Sequence, residues 1–307
     1  MSEEICDVIV IGGGGSGLTA ALYTSRANLK TFLFEKLIAG GQIAVTNEVE
    51  NYPGFPELIT GPEIAMRMEE QAKKYGTQIV YDEVKSLKKD GAIFEVASSS
   101  KVYKSKAIIL ACGASFRMLG VPREKELTGR GVSYCATCDG AFFKGKELIV
   151  IGGGDSALQE GIFLTRFATK VTVIHRRDKL RASPILQDRA RQNPKIVFVW
   201  DTVVEKVIGE KKVEGVSLKN LKTNQTSDFK TDGVFIFVGH DPNSKFLNGF
   251  VELDEHGYVK TSEFLTTSVP GVFAAGEIRA GAVKQLVAAC GEGCEAALAA
   301  QYYLENA

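Results

Sequence analysis

One short segment occurs twice in this 307-residue chain, and the recurrence limits its possible folds more than any other feature. Asp7-Val8-Ile9-Val10-Ile11-Gly12-Gly13-Gly14-Gly15-Ser16-Gly17 returns, 140 residues on, as Glu147-Leu148-Ile149-Val150-Ile151-Gly152-Gly153-Gly154-Asp155-Ser156-Ala157. Each copy is an apolar run rich in β-branched residues, then a glycine turn, a helical stretch (18–27; 158–168) and a second apolar run (31–34; 171–174). That order predicts a βαβ unit in each copy. Parallel strands joined by a crossover helix leave a crevice at the strand ends. Two such units therefore predict an α/β protein with two doubly wound, dinucleotide-binding (Rossmann-like) domains.

The remaining pattern says how the two are strung together. After the first unit, spacing predicts an amphipathic helix over 63–75, a hairpin around 92–103 and a buried strand over 107–111 that ends in Cys112-Gly113. The second unit is echoed by a strand at 195–199, a meander through 203–221 and a strand over 233–238 ending in Gly239. A glycine-bounded segment at 271–276 and a final helix over 284–304 are left over. Because the second domain is complete before them, this tail is expected to return and finish the first. The expected division is 1–113 and 243–307 for the first domain, with 114–242 inserted.

Composition excludes several alternatives. The 37 basic and 37 acidic residues cancel, so no overall field would hold the chain on nucleic acid or an anionic membrane. The start, Met1-Ser2-Glu3-Glu4, is acidic where a secretory signal needs basic residues, and no apolar run approaches the ~18 residues of a membrane span. Six cysteines in so long a chain do not make a secreted disulfide framework, so the expected setting is cytoplasmic, with thiols reduced unless they have redox work.

The two glycine loops differ in what they should hold. Gly12, Gly14 and Gly17 give G-x-G-x-x-G between strand and helix, where backbone N–H groups and a helix N-terminus cradle a pyrophosphate. Glu35 ends the second strand 18 residues after Gly17, where a carboxylate can accept both hydroxyl hydrogen bonds of an unphosphorylated adenosine ribose. Gly152, Gly154 and Ala157 give the G-x-G-x-x-A variant, and there the position of Glu35 is taken by His175, followed by Arg176, Arg177 and Arg181. A ribose 2′-phosphate would be repelled by a carboxylate and is bound bidentately by a guanidinium, so this loop is expected to select NADPH over NADH. One site without a 2′-phosphate reader and one with it read most simply as FAD plus NADPH, the cofactors of an oxidoreductase.

Cys135-Ala136-Thr137-Cys138-Asp139 is the sharpest chemical feature. A C-x-x-C pair can close a small disulfide, and Asp139 adds a carboxyl group able to exchange a proton with a leaving thiolate. The competing chemistry is structural zinc, with Cys290 and Cys294 as the second pair of ligands. A reduced flavin in the same chain needs an electron acceptor, and a dithiol supplies one, which favours the redox reading. Cys6, Cys112, Cys290 and Cys294 are then expected to be small buried hydrophobes.

Over essentially its whole length the chain resembles the bacterial low-molecular-weight thioredoxin reductases. The matching segments are 12–17, Gly40-Gly41-Gln42, 50–56, 135–139, 152–157, 175–181 and 276–285. The resemblance implies an FAD domain split around an inserted NADPH domain, a homodimer, and electron flow from NADPH through FAD and the cysteine pair to a thioredoxin. It also implies rotation of the inserted domain between half-reactions. It carries flavin contacts to Lys36, Gly41, Gln42, Asn51, Glu277, Ile278, Lys284 and Gln285, and NADPH contacts to Asp155, Ser156 and the His175 to Arg181 cluster. Asp139 inherits the acid-base role; which sulfur faces the flavin is left open. The chain departs from the family at Gly15-Ser16 (usually Pro-Ala), Cys112 (Thr), Glu277 (Asp) and Lys284 (Arg).

Overall fold

The computed structural model describes residues 5–46, 49, 51–247 and 249–306, with the backbone alone at 45, 137 and 138. The acidic residues 1–4 and Glu50 lie outside the described residues. The chain forms two compact units, Met1–Ser115 with Asp241–Ala307, and Phe116–His240. The second is thus inserted in the first, and the chain leaves at 115/116 and returns at 240/241, against 113/114 and 242/243 in the sequence expectation.

In the first unit, β1 (Ile5–Ile11) leads through the glycine loop into α1 (Gly15–Arg26) and on to β2 (Thr31–Glu35). Helix α2 follows at Gly61–Lys74, earlier than the 63–75 that periodicity predicts. Thr60 caps it, accepting from Glu63 N at 3.3 Å, and Pro62 sits in the first turn, where a missing N–H costs nothing. Next come β3 (Gln78–Tyr81), β4 (Val84–Asp90), β5 (Ile93–Ser98) and β6 (Val102–Leu110). The strand order is β3-β2-β1-β6-β5-β4, parallel from β3 through β6 and antiparallel beyond.

The chain passes through β7 (Ala114–Phe116) into the second unit. This contains β8 (Val132–Ser133), α3 (Ala136–Asp139), β9 (Glu147–Gly152), α4 (Asp155–Leu164), β10 (Lys170–Ile174), α5 (Pro184–Gln192) and β11 (Ile196–Val199). Strands β12 (Thr202–Ile208), β13 (Gly215–Asn220) and β14 (Thr226–Lys230) form a separate antiparallel sheet, and β15 (Gly233–Phe237) completes the parallel one, ordered β11-β10-β9-β15-β8. The expected meander stops at 221 and misses β14. That strand is polar and exposed, so it carries no alternation, and Asn220 builds its turn by accepting from Lys222 N and Thr223 N at 3.0 Å. After β16 (His240–Pro242) the tail returns, placing β17 (Val272–Ala274) parallel to the end of β6 and covering the sheet with α6 (Leu286–Glu305).

Both parallel sheets are buried on two faces, which is why their strands read as continuous apolar runs. In the first unit Ile9, Ile108 and Leu110 join Phe94, Val259 and Ile278 on one face, while Val8, Val10 and Ile109 meet Leu18, Ala21, Ala296 and Ala300 of α1 and α6 on the other. In the second, Leu148 and Val150 face α4, and Ile149 and Ile151 face β12 and β13.

Candidate active site

At the first glycine loop the three motif glycines meet different surroundings. Gly12 has φ 106°, and a Cβ there would lie 2.3 Å from the Ala111 carbonyl oxygen; one on Gly17 would lie 1.7 Å from that of Gly12. Gly14 by contrast faces open space, and α1 begins there with no side chain capping it. The first N–H groups of α1 are thus left for an anion. At the end of β2 the Glu35 carboxylate accepts from Gly13 N at 2.9 Å and Leu37 N at 3.0 Å, each oxygen retaining a lone pair for a ligand hydroxyl. Lys36 instead pairs with Glu83 on the surface at 2.8 Å.

Tertiary packing gathers the remaining first-unit candidates in pairs. Gly41 lies against the loop: a Cβ on it would sit 3.2 Å from Gly14 Cα. Gln42 Nε2 donates to the Ala114 carbonyl at 3.1 Å and to Glu277 Oε2 at 3.3 Å. Asn51 Nδ2 donates to Gln285 Oε1 at 3.0 Å. Glu277 is half-buried, and desolvation raises its pKa against the opposing effects of the Lys284 charge and the Gln42 hydrogen bond. Lys284 holds its ammonium 5.8 Å from the centre of the Tyr258 ring. Ile278 is fully buried in the core, and its carbonyl accepts from Val259 N at 2.9 Å.

In the second unit Gly154 again faces open space, and α4 again starts without a side-chain cap. Asp155 Oδ1 accepts from Ser183 N at 2.5 Å and Arg181 N donates to the Gly153 carbonyl at 2.7 Å, folding the segment after β10 back over the loop. His175 stands apart from the other cluster residues. Its ring is buried so close to Gly153 that a Cβ there would be 2.4 Å away, and Nε2 lies 3.1 Å from the Lys179 carbonyl. Burial holds the imidazole pKa below its ordinary value, and the charges of Arg181, Arg176 and Arg177 push the same way. A neutral, packed ring shapes the loop, whereas Arg176, Arg177, Arg181 and Ser156 are exposed.

Cys135 is half-buried and disulfide-bonded; the Cys138 side chain lies outside the described residues. Ser133, which the sequence reading passed over, is buried and clamps this turn, accepting from Cys135 N at 3.0 Å and donating to its carbonyl at 3.1 Å. Asp139 stands at the N-cap position of the 3₁₀ turn Gly140–Phe143 and makes no side-chain capping bond.

Cys6, Cys112, Cys290 and Cys294 lie outside any disulfide; Cys6 and Cys290 are buried, whereas Cys112 and Cys294 are half-buried. Desolvation pushes the Cys112 thiol up to about 12, and Cys290 approaches the Gly15 carbonyl at 3.7 Å. The Tyr52 hydroxyl, beside Cys290, is pushed up to about 12 by burial first and by the thiol second. Cys294 meets Tyr23. Both α6 thiols are thus occupied within the first unit, and no three potential ligands converge as a metal site among the described residues.

Comparison with known proteins extends this picture. The model of the pyridine nucleotide-disulphide oxidoreductase family matches residues 6–293. The thioredoxin reductase of Bacillus subtilis is 54% identical over 309 residues, covering 100% of this chain and 97% of that protein. The crystal structure of Lactococcus lactis thioredoxin reductase superposes with a TM-score of 0.96 at 43% identity, covering 98% of this chain and 100% of that one. The thioredoxin reductase of T. acidophilum gives a TM-score of 0.93 at 36% identity, with 99% of each chain covered. No helix among the described residues is long and apolar enough to cross a membrane.

Proposed function

The chain belongs to the pyridine nucleotide-disulphide oxidoreductase family, and on that premise we propose that it is an NADPH-dependent thioredoxin reductase. The observation that carries the proposal is a disulfide-bonded Cys135 in the same unit as a glycine loop flanked by exposed arginines, with a Glu35-bearing loop in the other unit. The unit 116–240 then takes NADPH and carries the redox cysteines, while 1–115 with 241–307 takes FAD. The reading further includes a cytoplasmic homodimer and reorientation of the inserted unit between half-reactions.

The residues fit both cofactors. Each loop presents a cradle that a Cβ at Gly14 or Gly154 would enter, backed by uncapped helix N–H groups for a pyrophosphate. Glu35 receives ribose hydroxyls; Arg176, Arg177 and Arg181 receive a 2′-phosphate. Gln42, Asn51, Glu277, Lys284 and Gln285 are the polar side chains that would line the flavin. Bound there, FAD would supply two-electron chemistry between NADPH and the Cys135–Cys138 disulfide. The resulting dithiol attacks the thioredoxin disulfide: one thiolate forms a mixed disulfide, the second displaces it, and thioredoxin leaves with two electrons and two protons. Ser133 holds the Cys135 backbone while these bonds exchange.

Asp139 has no capping bond to account for it, which supports a proton-transfer role. General acid-base assistance is typically worth 10²–10⁴-fold, so Asp139→Asn should slow turnover with thioredoxin by at least about tenfold. Stopped-flow traces should show flavin reduction by NADPH unchanged and reoxidation slowed; wild-type rates in both half-reactions would assign Asp139 to another task.

The whole reading is tested on the purified, FAD-loaded protein under anaerobic conditions. NADPH should bleach its yellow absorbance, and oxidised thioredoxin should restore it while gaining titratable thiols. Bleaching without thiol formation would move the protein to a different acceptor.

A further inference from the structure

We propose that Glu292 is a positioning residue for the flavin, clamping the turn that carries Glu277 so that this carboxylate stays at a set depth beside Gln42. The proposal rests on the assignment of FAD to this unit. The turn Gly276–Ile278 follows β17 and comes so near α1 that a Cβ on Gly276 would lie 2.6 Å from Ser16 Oγ. Glu292 reaches it from α6. Its Oε2 accepts from Gly276 N at 2.7 Å and from Arg279 Nε at 2.7 Å, and its Oε1 takes Arg279 Nη2, closing a two-pronged ion pair. One carboxylate therefore grips the turn at both ends, at Gly276 and at Arg279, with Glu277 between the two grips.

The side chains of Arg279 and Glu292 are 19% and 11% exposed, so these charge-assisted bonds work in a poorly solvated setting where they are strong. The Arg279 pKa is raised there, first by its hydrogen bond to Glu292. A buried ion pair is weak evidence for stability, because apolar side chains of similar volume often serve as well. Apolar side chains would not supply a fixed acceptor for the Gly276 N–H. That bond sets the pitch of the turn, and through it the reach of Glu277 to Gln42 at 3.3 Å.

The test uses holoprotein carrying Glu292→Gln, the double change Arg279→Leu with Glu292→Leu, and Glu277→Gln. The double variant leaves no unpaired buried charge. Losing hydrogen bonds to a charged group should speed FAD release at least about tenfold in the first two variants. Their flavin absorption band should shift in the same direction as in Glu277→Gln, and Glu292→Asp should restore part of both properties. NADPH binding to the other unit should stay at the wild-type value. A double variant with wild-type FAD release and an unshifted band would overturn the proposal, and so would one that loses its fold, since the pair would then serve stability. Wild-type protein that holds no flavin would remove the FAD assignment as well, whereas unaltered flavin in the variants removes the clamp alone.

Discussion

Replacing Cys135 with serine should abolish thioredoxin reduction while leaving the reduction of bound flavin by NADPH at its wild-type rate. A single remaining sulfur cannot store two electrons as a dithiol, and a serine hydroxyl has no accessible anion with which to open a disulfide. Hydride delivery to the flavin needs neither sulfur, so NADPH should still bleach the protein. Cys138→Ser should behave alike in steady state, and a stable mixed disulfide trapped by only one of the two variants would identify the sulfur that attacks thioredoxin. The measurement is an anaerobic NADPH titration followed by addition of oxidised thioredoxin with thiol quantitation. If either variant kept a full complement of FAD yet resisted NADPH, the cysteines would be structural.

Removing two arginines should produce the other large effect. Hydrogen bonds to charged groups contribute about 1.5–3 kcal/mol each, and about 1.4 kcal/mol is tenfold. Arg176 and Arg177 are exposed, so the lower figure applies to each, and their combined replacement by alanine should cut kcat/KM for NADPH roughly a hundredfold. The loss should shrink as salt is raised, because exposed charges are screened. NADH has no 2′-phosphate and should be used almost as before. Equal losses with both cofactors would show that the arginines shape the loop. His175→Ala makes the contrast: its ring packs beneath Gly153, so its removal should impair both cofactors together.

The glycine loops were legible because their requirements are local. A strand, a turn that only glycine can make and a helix start lie within a dozen consecutive residues, and 140 residues separate one copy from the next. The opposite chemistry at Glu35 and at Arg176-Arg177 is likewise a matter of offset from the loop. The short reach of such signals also explains the misses. Strand β14 is exposed on nearly every residue and shows no period of two, so its existence depends on pairing with β13. His175, aligned with Glu35 by sequence, turned out to be a packing residue because the segment after β10 folds back onto Gly153.

From the sequence alone came the two βαβ glycine loops, the order in which the units are threaded, the contrast between an acid at Glu35 and arginines at 176 and 177, and the C-x-x-C spacing. All of these follow from spacing along a covalent chain. Only the tertiary structure could decide that Gln42 meets Glu277 across 235 residues, that Asn51 meets Gln285 across 234, and that Glu292 on the last helix grips Gly276 and Arg279. Such pairs have no periodic signature. They exist because the returning β17 and α6 close on the end of β6 and on α1, and that closure is driven by burial of apolar faces that are indifferent to which polar groups they bring together.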